Sequence, residues 1–350
     1  MRNAIYIIIR SLMQIGFYFY FKKIKVYGKE KIPKKGGVIL SPNHQNGVID
    51  PFIVGGNYGD IITSLTRADV FGGFMHWIFT QMKMIPVYRI RDGYESLKNN
   101  DKIFEKCYSI LGKGRPIQIF SEAKQHENYY LMPISKGSSR MAIKAQKKYP
   151  NQNIYIIPIG INYSNRRNPF GFIHLVYGDP IVIKEHLDDS ISEIDQINNL
   201  RSELSIKMKK CMWIPENSEH YSKQCSVIKT LSGNESFKNI RKLLKETNTY
   251  SQAKPLDRYK KIIGTIGYTL NLPILIFTSW VLSKFKDIVY YSTVKFYIGL
   301  IFLPIWWIIL FYFSVSMASN YGILIVLTAI ITLYIRQNDN NKIFDKNNLY

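Results

Sequence analysis

The sequence predicts an α/β domain on a mostly parallel sheet flanked by helices. An N-terminal helix at a membrane interface precedes it, and C-terminal transmembrane helices follow it. Three observations carry this reading. Short apolar runs at 37–41 (GVILS), 116–120 (PIQIF) and 154–161 (IYIIPIGI) read as buried strands, with amphipathic helical patterns between them. Such alternation favours parallel pairing, because a helix is the usual crossover that returns the chain to run in the same direction. The start of the chain and much of its last third are too apolar for a soluble surface.

The elements follow in order. Residues 4–21 are apolar and aromatic but contain Arg10 and Gln14. A central arginine is costly in a bilayer span, so a helix lying in the interface is expected, with Lys22 and Lys23 near the headgroups. A core helix of the soluble domain is the competing reading. The following KKIKVYGKEKIP offers no small-residue cleavage site for a signal peptide. Ile103, Phe104, Cys107, Ile110 and Leu111 repeat at helical spacing. A later helix is expected near Asp189 with Ser190 as its N-cap, placing Ile194, Ile197, Leu204 and Met208 on one stripe.

From 207 to 261 basic residues outnumber acidic ones, as in a cytoplasmic segment held near an anionic leaflet. Residues 262–283 carry no charge but are broken by Asn271 and Pro273. Residues 296–335 are also uncharged and are interrupted by Ser319, Asn320 and Gly322. As one helix they would run roughly 60 Å, about twice the hydrocarbon thickness, so a hairpin of two spans is expected. It would leave Lys295 and Arg336 on the same side. The expected organisation is an interface helix over 1–23, the α/β domain over 24–215, a basic linker over 216–261, membrane segments over 262–336 and a polar tail over 337–350.

The 350 residues carry a formal net charge of +22, which calls for a polyanionic partner, a nucleic acid or an anionic membrane. The apolar C-terminal segments decide for membrane lipids and against nucleic acid. The widely spaced Cys107, Cys211 and Cys225 form neither a disulfide framework nor a zinc pair, and they fit a reducing cytoplasmic side. None of the 6 histidines has paired-ligand spacing, so no metal is expected.

The strongest local signal is SPNHQNGVIDP at 41–51, at a strand-to-loop junction where α/β enzymes expose catalytic groups. His44 can act there as a general base, with Asp50 holding its other ring nitrogen. A His and an Asp so spaced are, taken alone, more often structural than catalytic. No serine or cysteine stands in a nucleophile elbow, so the nucleophile would be the substrate's own hydroxyl. Three further clusters join this one. Arg89, in MIPVYRIRDG at 84–93, has the fork geometry to clamp a phosphate. Glu122, in IFSEAKQH at 119–126, can bind a hydroxyl or orient Arg89 and Lys136. Pro158 lies inside an apolar strand, and because it cannot donate to a ladder it is expected at an edge or strand end.

The order and spacing of these four blocks resemble the glycerophospholipid acyltransferase family, over about residues 24–183. The resemblance implies His44 as base, Asp50 as its partner, Arg89 and Glu122 as acceptor-binding residues, and Pro158 in the acyl or acceptor pocket. Lys136, in PISKG at 133–137, resembles a family lysine near the phosphate. Residues 45–49 separate His44 from Asp50, one more than the four of the commonest pattern. That gap, with Asn43, Gln45 and Asn46 around His44, is similar to fungal-type glycerol-3-phosphate acyltransferases and their bacterial relatives. The third block, FSEAKQH, lacks the usual glycine and arginine. Asn43, Lys124 and His126 are therefore secondary candidates, and acceptor identity is left more open than reaction type.

The implied reaction moves a fatty acyl group from a thioester, acyl-CoA or acyl carrier protein, to a hydroxyl of 1-acylglycerol-3-phosphate or glycerol-3-phosphate. It needs neither a cofactor nor a covalent intermediate, and backbone amides near the motif would stabilise the oxyanion. Two rivals stay open: an acyltransferase for an amino-acid-linked or glycan-linked lipid, and a non-catalytic protein that binds anionic lipid.

Overall fold

Eight strands form one sheet, and its order explains where the chemistry sits. They are β1 Lys23–Tyr27, β2 Gly37–Pro42, β3 Thr63–Arg67, β4 Met84–Val87, β5 Pro116–Gln118, β6 Ile154–Tyr163, β7 Phe172–Tyr177 and β8 Ile181–Val182. The order is β1-β7-β6-β2-β5-β3-β4, with β8 pairing β6. Five pairings are parallel, and only those of β6 with β7 and with β8 are antiparallel. The structure, a computed structural model, describes residues 2–88, 94–122, 126–246, 258–318 and 321–340.

Both faces of the sheet are covered. β2 sends Val38 and Leu40 into one core and Ile39 into the other, as the two-residue period of a strand requires. That is why GVILS shows no polar alternation. The first core packs under α1 (Arg2–Tyr20), α2 (Ile49–Tyr58) and α3 (Gly73–Gln81). The second packs under α4 (Tyr94–Gly112), α5 (Gly137–Lys148) and α6 (Glu193–Lys210). The three cysteines are free, and burial pushes the Cys107 and Cys211 thiols up to about 12.

Several expectations change. Pro158 is not at an edge: β6 is an interior strand, and Pro158 pairs in register with Ser41 of β2. Along its other side β6 meets β8 at Ile156 and β7 from Ile159 onward. The proline's missing N–H falls at that change of partner, where its carbonyl accepts from Gly178 N at 2.8 Å. The helix expected at Asp189 starts at Glu193, capped by Ser192 through Asp195 N, because Ser190 is engaged with Asp188. Ile197, Leu204 and Met208 are buried as expected, but Ile194 is exposed. The stretch expected as a linker folds in part into α7 (Tyr221–Thr230) and α8 (Phe237–Lys245). Ile228, Ile240 and Leu244 pack there with Phe172 and Trp213, an apolar stripe that the surrounding lysines hid in the sequence.

The N-terminal helix has one buried face and one apolar outward face. Tyr6, Met13, Phe17 and Tyr20 are buried in the first core, while Ile7, Ile8, Leu12, Ile15, Tyr18 and Phe19 face outward. Arg10 and Gln14 turn inward and donate to Asp60 O and to Gly56 O, so the outward stripe is free of them. Beyond residue 257 come α9 (Arg258–Leu270), α10 (Leu272–Leu282), α11 (Tyr291–Ala318) and α12 (Gly322–Asn340).

Among the described helices, Ile288–Ser316 is long and apolar enough by itself to cross a bilayer. The second arm of the expected hairpin is apolar only over Gly322–Ile335, about 21 Å of helix against roughly 30 Å of hydrocarbon. Ile262–Leu270 and Leu272–Leu282 reach span length together but are bent by 77°. Asn271 holds the bend: it donates to Gly267 O and Ala329 O and accepts from Trp307 Nε1, while Trp306 Nε1 donates to Leu270 O.

On β7 the buried His174 accepts from Trp213 Nε1 at 3.2 Å, and burial, with Lys25 adding, pushes its pKa down to about 4. The ring is neutral in the fold and titrates near 6.5 when unfolded. Its contribution to stability is whole above about pH 6.5 and is lost as the pH falls toward about 4. Melting temperatures measured across that range should fall several degrees less for His174→Gln than for the unaltered protein.

Candidate active site

The site begins where β2 runs out of ladder. Asn43 N donates to Ile159 O, and the Asn43 side chain accepts from Ile161 N at 2.7 Å and donates to Ile161 O. The side-chain amide thus stands in for one more peptide unit and carries the strand's direction into the loop. The chain then turns back into α2, whose first turn bears Asp50.

Asp50 is fully buried and accepts four hydrogen bonds. Its Oδ2 takes Gln45 N at 2.8 Å, Asn46 N at 2.7 Å and His44 Nδ1 at 2.9 Å. Its Oδ1 takes the Tyr163 hydroxyl at 2.5 Å. A buried carboxylate is expensive unless its lone pairs are filled, and the start of a helix adds a favourable field. Burial first, and the Asp50 carboxylate second, hold the Tyr163 phenol well above its usual range, so it stays a donor. With Nδ1 donating to Asp50, the basic nitrogen of His44 is Nε2. The ring stacks on Phe120 with centroids 4.1 Å apart, and its side chain is 16% exposed.

Glu122 grips the same loop from the other side. Its Oε2 accepts from His44 N at 2.6 Å, and its Oε1 accepts from Met132 N at 2.7 Å and from His126 Nε2 at 2.9 Å. His126 accepts Asn128 N–H at Nδ1, which leaves its proton on Nε2 for Glu122. Asn128 in turn receives Gln45 Nε2 on its carbonyl at 2.8 Å. Glu122 and His126 therefore position the catalytic loop, and the Glu122 carboxylate is fully covered rather than turned toward a substrate hydroxyl. Behind them, Ser41, Ser121 and Ser138 form a buried chain of hydroxyls.

Of the residues expected from the sequence, the structure brings together Asn43, His44, Asp50, Glu122 and His126. Lys136 directly precedes α5, beside Ser135, whose N–H donates to Ser121 O, so its block is tied to that of Glu122. Pro158 lies next to Ser41 in the sheet, one step inward from the loop. Arg89 and Lys124 lie outside the described residues. Tyr163 was missed. Its one signal in the sequence is a polar-tipped aromatic at the end of a fully apolar strand, and 113 positions separate it from Asp50.

The oxyanion expectation also changes. The amides of His44, Gln45 and Asn46 all donate to carboxylates within the site, and those of Ile49 and Asp50 donate to Asn46 O. The loop also touches the C-terminal helices. Thr293 Oγ1 of α11 lies 3.5 Å from Asn46 Oδ1, and a Cβ on Gly47 would meet that hydroxyl at 3.0 Å. Lys295 of α11 donates to Arg167 O and Asn168 Oδ1.

An imidazole held by a buried carboxylate, at the C-terminal end of an interior parallel strand, has the geometry that a general base needs. Residues 23–162, which include β1, His44 and Asp50, match the family model described as Acyltransferase. Similar curated proteins include glycerol-3-phosphate O-acyltransferase 1 of Saccharomyces cerevisiae, 28% identical over 94 residues, or 27% of this chain and 12% of that protein. Another is 1-acyl-sn-glycerol-3-phosphate acyltransferase of Borreliella burgdorferi, 28% identical over 140 residues, or 40% of this chain and 54% of that protein. The chain thus spans about an eighth of the first and about half of the second. Among solved structures, the 1-acyl-sn-glycerophosphate acyltransferase PlsC of Thermotoga maritima superposes with a TM-score of 0.44 at 16% identity, over 60% of this chain and 79% of that one. The four-block resemblance read from the sequence agrees with the family match.

Two substitutions separate chemistry from scaffolding. Asp50→Ala leaves two loop amides and a buried phenol without their acceptor and should cost about 3 kcal/mol or more of stability. His44→Ala keeps the backbone bond to Glu122 and should cost about 1 kcal/mol or less. Denaturant unfolding of the two variants checks the difference.

Proposed function

We propose that this chain is a membrane-attached O-acyltransferase that moves a fatty acyl group from an acyl thioester to a hydroxyl of glycerol-3-phosphate or 1-acylglycerol-3-phosphate. The observation that carries the reading is the His44–Asp50 pair, with Asp50 buried under four donors and Nε2 left as the base. The names of the similar proteins, all glycerophosphate-type acyltransferases, support the acceptor class.

In this mechanism His44 Nε2 takes the acceptor's hydroxyl proton as that oxygen attacks the thioester carbonyl. Asp50 stabilises the imidazolium that forms, and Tyr163 keeps the carboxylate fully solvated by protein. The carbonyl oxygen becomes an oxyanion, stabilised by the N–H groups of Gly47 and Val48 at the start of α2. Collapse expels the thiolate, which takes the proton from the imidazolium and leaves as a free thiol. Each proton returns to its starting place, and the enzyme is regenerated. The acyl donor is acyl-CoA or acyl carrier protein, and no cofactor enters the scheme.

Membrane attachment follows from α11 and from the outward stripe of α1, which suits a product that resides in the bilayer. The positive charge and the unpaired cysteines favour a catalytic domain on the cytoplasmic side.

Purified protein given an acyl-CoA or an acylated carrier protein should release thiol only when glycerol-3-phosphate or 1-acylglycerol-3-phosphate is present. His44→Ala should lower that rate by about 10²- to 10⁴-fold and leave the protein in the membrane fraction. Thiol release at the same rate without acceptor, or full activity in His44→Ala, overturns the mechanism. In the same assay Tyr163→Phe should lower kcat by about 10-fold through a less firmly held Asp50, with acceptor KM little changed.

A further inference from the structure

The loop between β6 and β7 carries two adjacent arginines that are treated differently by the fold. Arg167 is paired with Glu127 through its Nε and Nη2, and its backbone carbonyl accepts from Lys295 Nζ. Arg166 has no carboxylate partner among the described residues, and its Nη1 is buried with no hydrogen-bond partner. Asp50, Glu122 and Glu127, the carboxylates of this neighbourhood, are each already held by other donors.

Several contacts hold Arg166 in place. Its guanidinium lies over the Tyr129 ring, 3.9 Å from the centroid. Tyr129 follows Asn128, whose carbonyl is bound by Gln45 of the catalytic loop, and the Tyr129 hydroxyl donates to Ser164 O. Asn46, two residues after the base, donates to the carbonyl of Arg166 itself at 3.4 Å. The guanidinium charge also offsets part of the upward push on the phenols of Tyr129 and Tyr163.

Stacking engages the face of a guanidinium and leaves its N–H edge to make bonds in the plane. An always-charged group whose edge is partly withdrawn from water and lacks a carboxylate is costly to the fold by itself. Its planar fork matches a phosphate, which accepts two parallel N–H bonds from it.

We propose that Arg166 binds the phosphate of a phosphorylated acceptor, a phosphate monoester whose hydroxyl is presented to His44. The assignment deepens the acyl-transfer reading and rests on it. Arg166 is then a specificity-determining residue: it selects acceptors that carry the phosphate and takes no proton in the reaction. The same chemistry would fit a phosphate of acyl-CoA, so donor and acceptor are titrated separately.

Steady-state kinetics of detergent-solubilised protein, Arg166→Gln and Arg166→Lys test this, with thermal melts confirming that each variant is folded. Acceptor KM for glycerol-3-phosphate or 1-acylglycerol-3-phosphate should rise about 10- to 100-fold in Arg166→Gln, with the KM for acyl-CoA unchanged. Arg166→Lys should recover part of the loss, and it decides the matter if Arg166→Gln does not fold. An unchanged acceptor KM overturns the proposal, and so does a rise confined to acyl-CoA. Calorimetry with glycerol-3-phosphate on the inactive His44→Ala background reads binding without turnover. Arg166-dependent binding in a protein that transfers no acyl group supports the anion site while the transfer reading fails. Acyl transfer with binding indifferent to Arg166 overturns the anion site alone.

Discussion

The carboxylate of Asp50 is the constraint on which the site depends. Four donors from two parts of the chain meet on its two oxygens: two loop amides and the imidazole of His44 from one, and a phenol from the far end of β6 from the other. The loop has no other way to close. Residues 43–48 lie between a strand and a helix and form neither, so their backbone groups need acceptors, and Asp50 supplies them. The charge that orients the base also folds the loop that carries it. The gap of residues 45–49 between His44 and Asp50 makes room for both amides to reach one oxygen.

A second carboxylate repeats the logic from outside. Glu122 takes the His44 amide and anchors His126 and Met132, so the catalytic loop is clamped between two anions of different origin. Around this clamp the loop after β6 and the start of α11 complete the wall. Tyr20 bonds Ser292 and Phe17 packs on Phe296, which ties the N-terminal helix and the long apolar helix to each other and to the domain. The apolar elements are thus joined to the chemistry directly.

Much of the fold was legible because its signals are local. Continuous apolar runs are what a strand covered on both faces must have, and 37–42, 116–118 and 154–163 all carry them. The errors came where a local signal had two physical origins. Pro158 reads as an edge residue, since a proline interrupts a ladder, but an interior strand tolerates it where the neighbouring strand changes. Arg10 and Gln14 read as a reason to keep the first helix out of the bilayer. They also bond backbone carbonyls in and just after α2, a contact with residues some forty to fifty positions away. Lysines around 221–245 masked an apolar stripe of only a few residues.

For the site, the His44–Asp50 pair and the four-block resemblance were legible in the sequence by itself, because they lie in short blocks whose spacing follows backbone geometry. What Glu122 binds, which amides remain for the oxyanion, and that Tyr163 belongs to the dyad were decided by tertiary structure alone. Each depends on which donors the sheet order brings within about 3 Å of a buried oxygen. Arg166 shows the same division. Its identity is plain in the sequence, but only the fold gives Arg167 a carboxylate and leaves Arg166 stacked on Tyr129 with no carboxylate partner among the described residues.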